Sequence, residues 1–298
     1  MEKSGNQGFS RFAWGVLAFN IPVVLWGAYV RASGSGAGCG NHWPLCDGEI
    51  VPHSAGAQKL IEFTHRAMSG IDVALVALLL IWAFRSFPKL HPARLGAALS
   101  GVFLFTEALL GAALVKLEHV ARNPSTARGY SLSAHLLNTL TLLACLALTA
   151  WWGSGKPRFR VRGREAWLAG VSLGLVAVLG ISGAIAALGD TLFPARSLAE
   201  GFAQDLDPAA NIFLRLRLLH PMIAAVVAGW LIFYAATGMA AARRQTLLVG
   251  AALMLQLAAG ILNLVLLAPI WTQMTHLLLA DLLWIALVLL CATRLAKA

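Results

Sequence analysis

Charge is scarce in this sequence. Only 12% of its 298 residues are Asp, Glu, Lys or Arg, too few to solvate the surface of an ordinary water-soluble domain. Strictly alternating segments of about ten residues are also missing, which excludes an outer-membrane β-barrel. The first apolar run, Phe12 to Val30, has no obvious small-residue cleavage site after it and is longer than an export signal's apolar region. It therefore reads as a retained first helix. What remains is a chain that is 59% hydrophobic with a mean hydropathy of +0.74, an integral membrane protein of the all-α class.

A helix rising 1.5 Å per residue needs about 20 apolar residues to cross roughly 30 Å of hydrocarbon. Eight such runs occur, over 12–31, 60–84, 93–115, 130–152, 166–188, 214–238, 245–267 and 272–295. Fourteen bases fall on one side of these runs: Lys3, Arg11, Arg85, Lys89, Arg94, Lys156, Arg158, Arg160, Arg162, Arg164, Arg243, Arg244, Arg294 and Lys297. Cytoplasmic loops hold the excess of Lys and Arg, so both termini are expected in the cytoplasm. The net charge of +10 is then a topology signal, and no nucleic-acid partner is implied.

The basic stretch 153–165 divides the chain into two halves, 12–152 and 166–295, each with four apolar runs. Near the outer ends of the odd-numbered runs recur "GAYVRASG" from Gly27, "GAALVKLE" from Gly111, "GAIAALGD" from Gly183 and "GILNLVLL" from Gly260. Small residues there let a helix or a flat ligand approach closely. Each even-numbered run carries a histidine, His65, His135, His220 or His276, one to two turns from its outer end. His65 matches His220 and His135 matches His276 between the halves, the pattern of a parallel internal repeat.

One histidine in a membrane helix is as often a packing residue as a ligand. Four at matched depth mark function, because ionisable groups are costly in lipid. Zinc or copper would want three or four ligands at one point. Two pairs half a chain apart fit two bis-histidine hemes better. Heme propionates need cationic partners, and Arg31, Arg66, Arg128, Arg215 and Arg217 lie near outer helix ends, where the other reading for each is a snorkelling anchor. His42, His53, His91 and His119 fall in loops and are expected to face solvent. Cys39 and Cys46 share the first outer loop, an oxidising compartment if the membrane is bacterial, where a disulfide is plausible. Cys145 and Cys291 lie within helices and read as buried apolar residues.

"GAYVRASGSGAGCGNHWPLC", "IEFTHR", "SAHLLNT", "RLLHP" and "MTHLLLAD" together resemble the heme A synthase family of bacterial plasma and mitochondrial inner membranes. The resemblance covers essentially the whole chain. It implies eight helices in two pseudo-symmetric four-helix bundles with heme sites near the outer (periplasmic) face. It also implies oxidation of the ring-position-8 methyl of heme O to a formyl group by successive hydroxylation and loss of water from the gem-diol. On the same basis His220 and His276 would hold a resident heme b, and His65 and His135 would lie at the substrate heme. Heme O synthase, terminal oxidase assembly factors, an electron donor or acceptor and a second copy of the chain are the partners to expect.

Glu62 lies three residues before His65 and shares its helix face, where a carboxylate could accept a proton or stabilise developing positive charge. Its structural alternative is an i,i+4 pair with Arg66. The corresponding position before His220 is Arg217, which cannot act as a base, so the chemistry is expected in the first half. Pro221 is expected to disturb the helix at His220. In one respect the chain departs from many bacterial members: 189–213 contains no cysteine. The main rival is a non-catalytic diheme b-type cytochrome, which leaves Glu62 unexplained, and a small-molecule transporter is a second.

Overall fold

The computed structural model describes residues 6–53 and 56–296. Lys3 and Lys297, two of the bases used for orientation, lie outside the described residues. The described chain is helical: α1 (Gln7–Ala32), α2 (Ala57–Ser86), α3 (Pro92–Lys116), α4 (Thr126–Gly153), α5 (Gly163–Leu192), α6 (Leu198–Leu206), α7 (Ile212–Arg217), α8 (Leu219–Val265) and α9 (Ile270–Leu295). In lipid every backbone polar group has to be satisfied within its own segment, and the ends, where four N–H groups have no helical partner, carry caps. Asn6 accepts from Phe9 N–H, Ser125 from Arg128 N–H and Asn211 from Phe213 N–H.

Seven helical segments are long and apolar enough to cross a membrane, against eight runs in the sequence. The difference lies in α8, which spans 47 residues and is interrupted at Ala242, whose φ of −145° and ψ of 50° are not helical. A straight helix would hold His220 and Gly260 about 60 Å apart. Yet the His276 ring lies 6.3 Å from that of His220 and also packs against Gly260. The two limbs of α8 therefore fold back on each other at Ala242, and each is long enough for one crossing.

The stretch 189–213, which joins the fifth and sixth apolar runs, contains α6 and the start of α7. Its "SLAE" opens the helix by capping: Ser197 Oγ accepts from Glu200 N–H at 3.1 Å, and the Glu200 carboxylate turns back to accept from Arg196 N–H at 2.8 Å. Pro221 explains where α7 stops. It has no N–H to give to the carbonyl of Arg217, and the helix breaks at Leu218, leaving His220 as the second residue of α8.

Among the first four helices α1 packs on α2 and α4, and α3 on α2 and α4; α5 and α9 pack on each other and on α8. Contacts of α4 with α5 and α9, and of α1 with α9, join the halves. Trp284 donates its indole N–H to the Leu140 carbonyl across that junction at 2.6 Å. At one end, Arg294 is buried, pairs with Glu165 at 2.8 Å and donates to the Tyr234 carbonyl at 2.6 Å. Cys145 and Cys291 are buried, as expected.

At Gly96 α3 approaches α4 closely: a Cβ there would stand 2.4 Å from Thr149 Oγ1 and 3.3 Å from Thr149 Cα. Gly96→Val is expected to cost about 1–3 kcal/mol by overpacking and to lower the thermal midpoint in detergent. Gly170→Ala, at a site with open space around it, should leave the midpoint unchanged.

Candidate functional site

Each of the four histidines projects from its helix onto a glycine of the preceding apolar segment. A Cβ on Gly27 would stand 2.9 Å from His65 Cε1, on Gly183 3.0 Å from His220 Cε1, and on Gly260 3.0 Å from His276 Cε1. Gly111 faces His135 Nε2 more loosely, at 3.7 Å. These are the four glycine stretches that recur in the sequence. Any side chain at the three tight positions would push the ring aside, so the imidazoles sit where they do because the neighbouring helix is bare there.

In the second half the His220 and His276 rings are 6.3 Å apart and nearly perpendicular. Ser182 Oγ is 3.0 Å from His220 Nδ1, and the Gln256 amide nitrogen is 3.3 Å from His276 Nε2. In the first half His65 and His135 lie within electrostatic reach of each other. The Nδ1 atoms of His65 and His276 are buried with no hydrogen-bond partner, a costly state for a polar atom unless something else engages the ring.

Glu107, which the sequence reading missed, reaches from α3 to His135. Its Oε1 is 2.9 Å from His135 Nδ1 and accepts from Thr139 Oγ1 at 2.5 Å, while Oε2 accepts from Asn138 Nδ2 at 2.5 Å. The signal was present: an acid inside an apolar run, one helical turn before Gly111, on the face that turns out to meet a histidine.

Glu62 is buried. One oxygen pairs with Arg66, as the i,i+4 spacing allows, and the other accepts from Cys39 N–H at 2.9 Å. Arg66 also donates to the carbonyls of His42 and Leu45, each at 2.6 Å. Cys39 and Cys46 are disulfide-bonded. The pair Glu62–Arg66 therefore ties the first outer loop onto the helix that carries His65. Lys59 adds a second tie to Asp47 at 2.5 Å, and that hydrogen bond holds the exposed Asp47 carboxyl below its usual range.

The other arginines have separate stations. Arg31 crosses from α1 to the second half, donating to the Ala187 carbonyl at 2.8 Å, Thr191 Oγ1 at 2.7 Å and Gln273 Oε1 at 3.0 Å. Arg128 is buried and donates to the carbonyls of Ala121 and Asn123, with its Nε unpartnered. Arg217 is paired with Asp190 at 2.9 Å and Asp205 at 2.7 Å. Arg215 is exposed. Of the loop histidines His42 and His53 are exposed, whereas His91 and His119 are half-buried, His119 bonding Ser131 Oγ at 2.7 Å.

The spacing of the second-half pair fits a heme. A metal–imidazole bond of about 2.0–2.1 Å would place the ring centres of two histidines on one iron roughly 6 Å apart, close to the 6.3 Å of His220 and His276. The bare glycine surface beside the rings suits a flat group better than a compact hydrated ion. Fold and site together define a polytopic helical membrane protein with paired intramembrane histidines.

Residues 10–288 match the cytochrome oxidase assembly protein family COX15-CtaA, and the chain belongs to that family. A protoheme IX farnesyltransferase of Thermus thermophilus is 47% identical over 297 residues, covering 96% of this chain and 48% of that protein. A heme A synthase of Halalkalibacterium halodurans is 36% identical over 137 residues, covering 46% of this chain and 44% of that protein. Another, from Bacillus mycoides, is 44% identical over 95 residues, 32% and 30% of the two chains. The chain thus spans about half the length of the Thermus relative.

Removing Arg66 leaves a buried carboxylate without its cation. Arg66→Ala is expected to cost about 3–5 kcal/mol and to expose the loop 37–53 to limited proteolysis. Arg85→Ala, in the last turn of α2, should do neither.

Proposed function

We propose that this chain oxidises the ring-position-8 methyl of heme O to a formyl group, the heme A synthase reaction. The observation that carries the reading is the asymmetry between otherwise matched halves: Glu62 stands three residues before His65, and Arg217 stands three before His220. In this reading the chain forms two pseudo-symmetric four-helix bundles, 12–152 and 166–295, joined by the basic cytoplasmic linker 153–165. The membrane is the bacterial plasma membrane, with both termini inside and the heme sites near the outer face.

His65 and His135 hold the iron of the substrate heme O. His220 and His276 hold a resident heme b, which supplies an electron carrier when bound. Glu62 is the catalytic residue. Arg66 and Cys39 N–H hold its carboxylate in a buried place where a charge acts strongly, on the helix face it shares with His65, and it would accept the proton given up when the methyl C–H bond breaks, the electrons passing to an acceptor outside this chain. Arg31 and Arg128 are the better propionate partners, because the groups they bond are neutral. Arg217 is already neutralised by two aspartates and Arg66 by Glu62.

The Thermus relative's name supports a place for the reaction directly after prenylation. Farnesylation of protoheme makes the kind of substrate proposed here, and a region like this chain occupies half of that one protein. One observation favours the rival diheme cytochrome: both Glu62 oxygens are engaged within the protein. Expression with a heme O source, followed by a visible spectrum and chromatography of the extracted hemes, separates the two. Heme A is expected from the parent, and Glu62→Ala should lower its yield at least tenfold with heme still bound. Bound heme with no heme A, or unimpaired conversion in Glu62→Ala, counts for the cytochrome or against the role of Glu62, respectively.

A further inference from the structure

We propose that Glu107 is a positioning residue of the first-half site: it accepts the Nδ1–H of His135, holds Nε2 towards the iron, and sets that iron at a lower potential than its second-half counterpart. The inference rests on the reading that the paired histidines ligate heme iron.

Glu107 is placed, not incidental. Three groups meet its carboxylate within 2.9 Å: the His135 ring, the Thr139 hydroxyl and the Asn138 amide. Asn138 is itself fixed, donating to the Phe103 carbonyl at 2.8 Å and accepting from Thr106 Oγ1 at 2.6 Å. With the carboxylate on Nδ1, the His135 tautomer is decided, and the nitrogen left for a metal is Nε2, the atom nearest Gly111. A hydrogen-bonded carboxylate makes the imidazole a stronger donor, which favours the ferric over the ferrous state.

The second half supplies the contrast. Gln256 precedes Gly260 by four residues, as Glu107 precedes Gly111, but its amide nitrogen stands 3.3 Å from His276 Nε2, whereas Glu107 meets His135 Nδ1. Gln256 is neutral, and the group beside His220 Nδ1 is the Ser182 hydroxyl. Among the described residues a carboxylate thus meets a ring Nδ1 at His135, while His220 Nδ1 meets a hydroxyl and His276 Nδ1 is unpartnered. Two similar hemes would be held at different potentials by that difference.

The test uses the full chain, purified in detergent, loaded with hemin until uptake stops, and titrated potentiometrically while its visible spectrum is followed. Glu107→Gln is expected to raise one midpoint and leave the other in place. A tenfold change in the oxidised-to-reduced ratio corresponds to about 59 mV for one electron. Loss of one heme in Glu107→Gln with recovery in Glu107→Asp also supports the assignment, through ligand orientation. Two hemes with unmoved midpoints in Glu107→Gln overturn it and leave the ligation reading standing. A parent that takes up fewer than two hemes overturns the ligation reading, and the proposal with it, before any variant is compared.

Discussion

A ring packed closely against a neighbouring membrane helix needs that helix to be bare at the point of contact. That constraint is met at Gly27, Gly183 and Gly260, each against an imidazole from the next crossing, and more loosely at Gly111. Much of the architecture follows from it. The helices bearing the glycines and the histidines have to be sequence neighbours packed side by side, which short connections provide. They also have to alternate, which the repeat provides. The reversal of α8 at Ala242 serves the same pairing, because it brings Gly260 back to the level of His220.

Around this shared frame the halves diverge through charge. The first half carries carboxylates on its helices, Glu62 on α2 and Glu107 on α3, the second of them against His135, and binds them by Arg66, Cys39 N–H, Thr139 and Asn138. The second half uses Ser182 and Gln256 as ring neighbours and places its carboxylates, Asp190 and Asp205, around Arg217. In a low-dielectric interior a single charge difference at a few ångströms outweighs many neutral substitutions. Similar backbones can therefore present different chemistry to similar ligands.

The crossing segments were legible because lipid imposes one rule on every residue in them, and the histidine and glycine positions were legible because they recur. Properties that depend on a partner far away in the chain were not. Glu107 looks like a lone acid until Thr139 and His135, on another helix, are seen to bind it. Arg31 reads as an outer-end anchor of the first half, yet its three partners belong to α5 and α9. The helix α6 was readable from "SLAE" alone; its short length hid it from a search tuned to twenty-residue runs. Arg217 and Pro221 were singled out in the sequence, but the two aspartates that pair with Arg217 and the helix break before Pro221 needed coordinates.

Arg31 also bears on how two similar halves are held together. A repeat of two similar halves could in principle persist as two separable chains that associate in the bilayer. Once α1 sends a guanidinium into acceptors supplied only by the other half, each half alone is incomplete: one is left with an unmet cation in or near lipid, at a cost of about 2.5–3.5 kcal/mol near a helix centre, and the other with Thr191 and Gln273 lacking their donor. The side chain thus ties the first apolar segment to the second half through acceptors that no residue of the first half supplies.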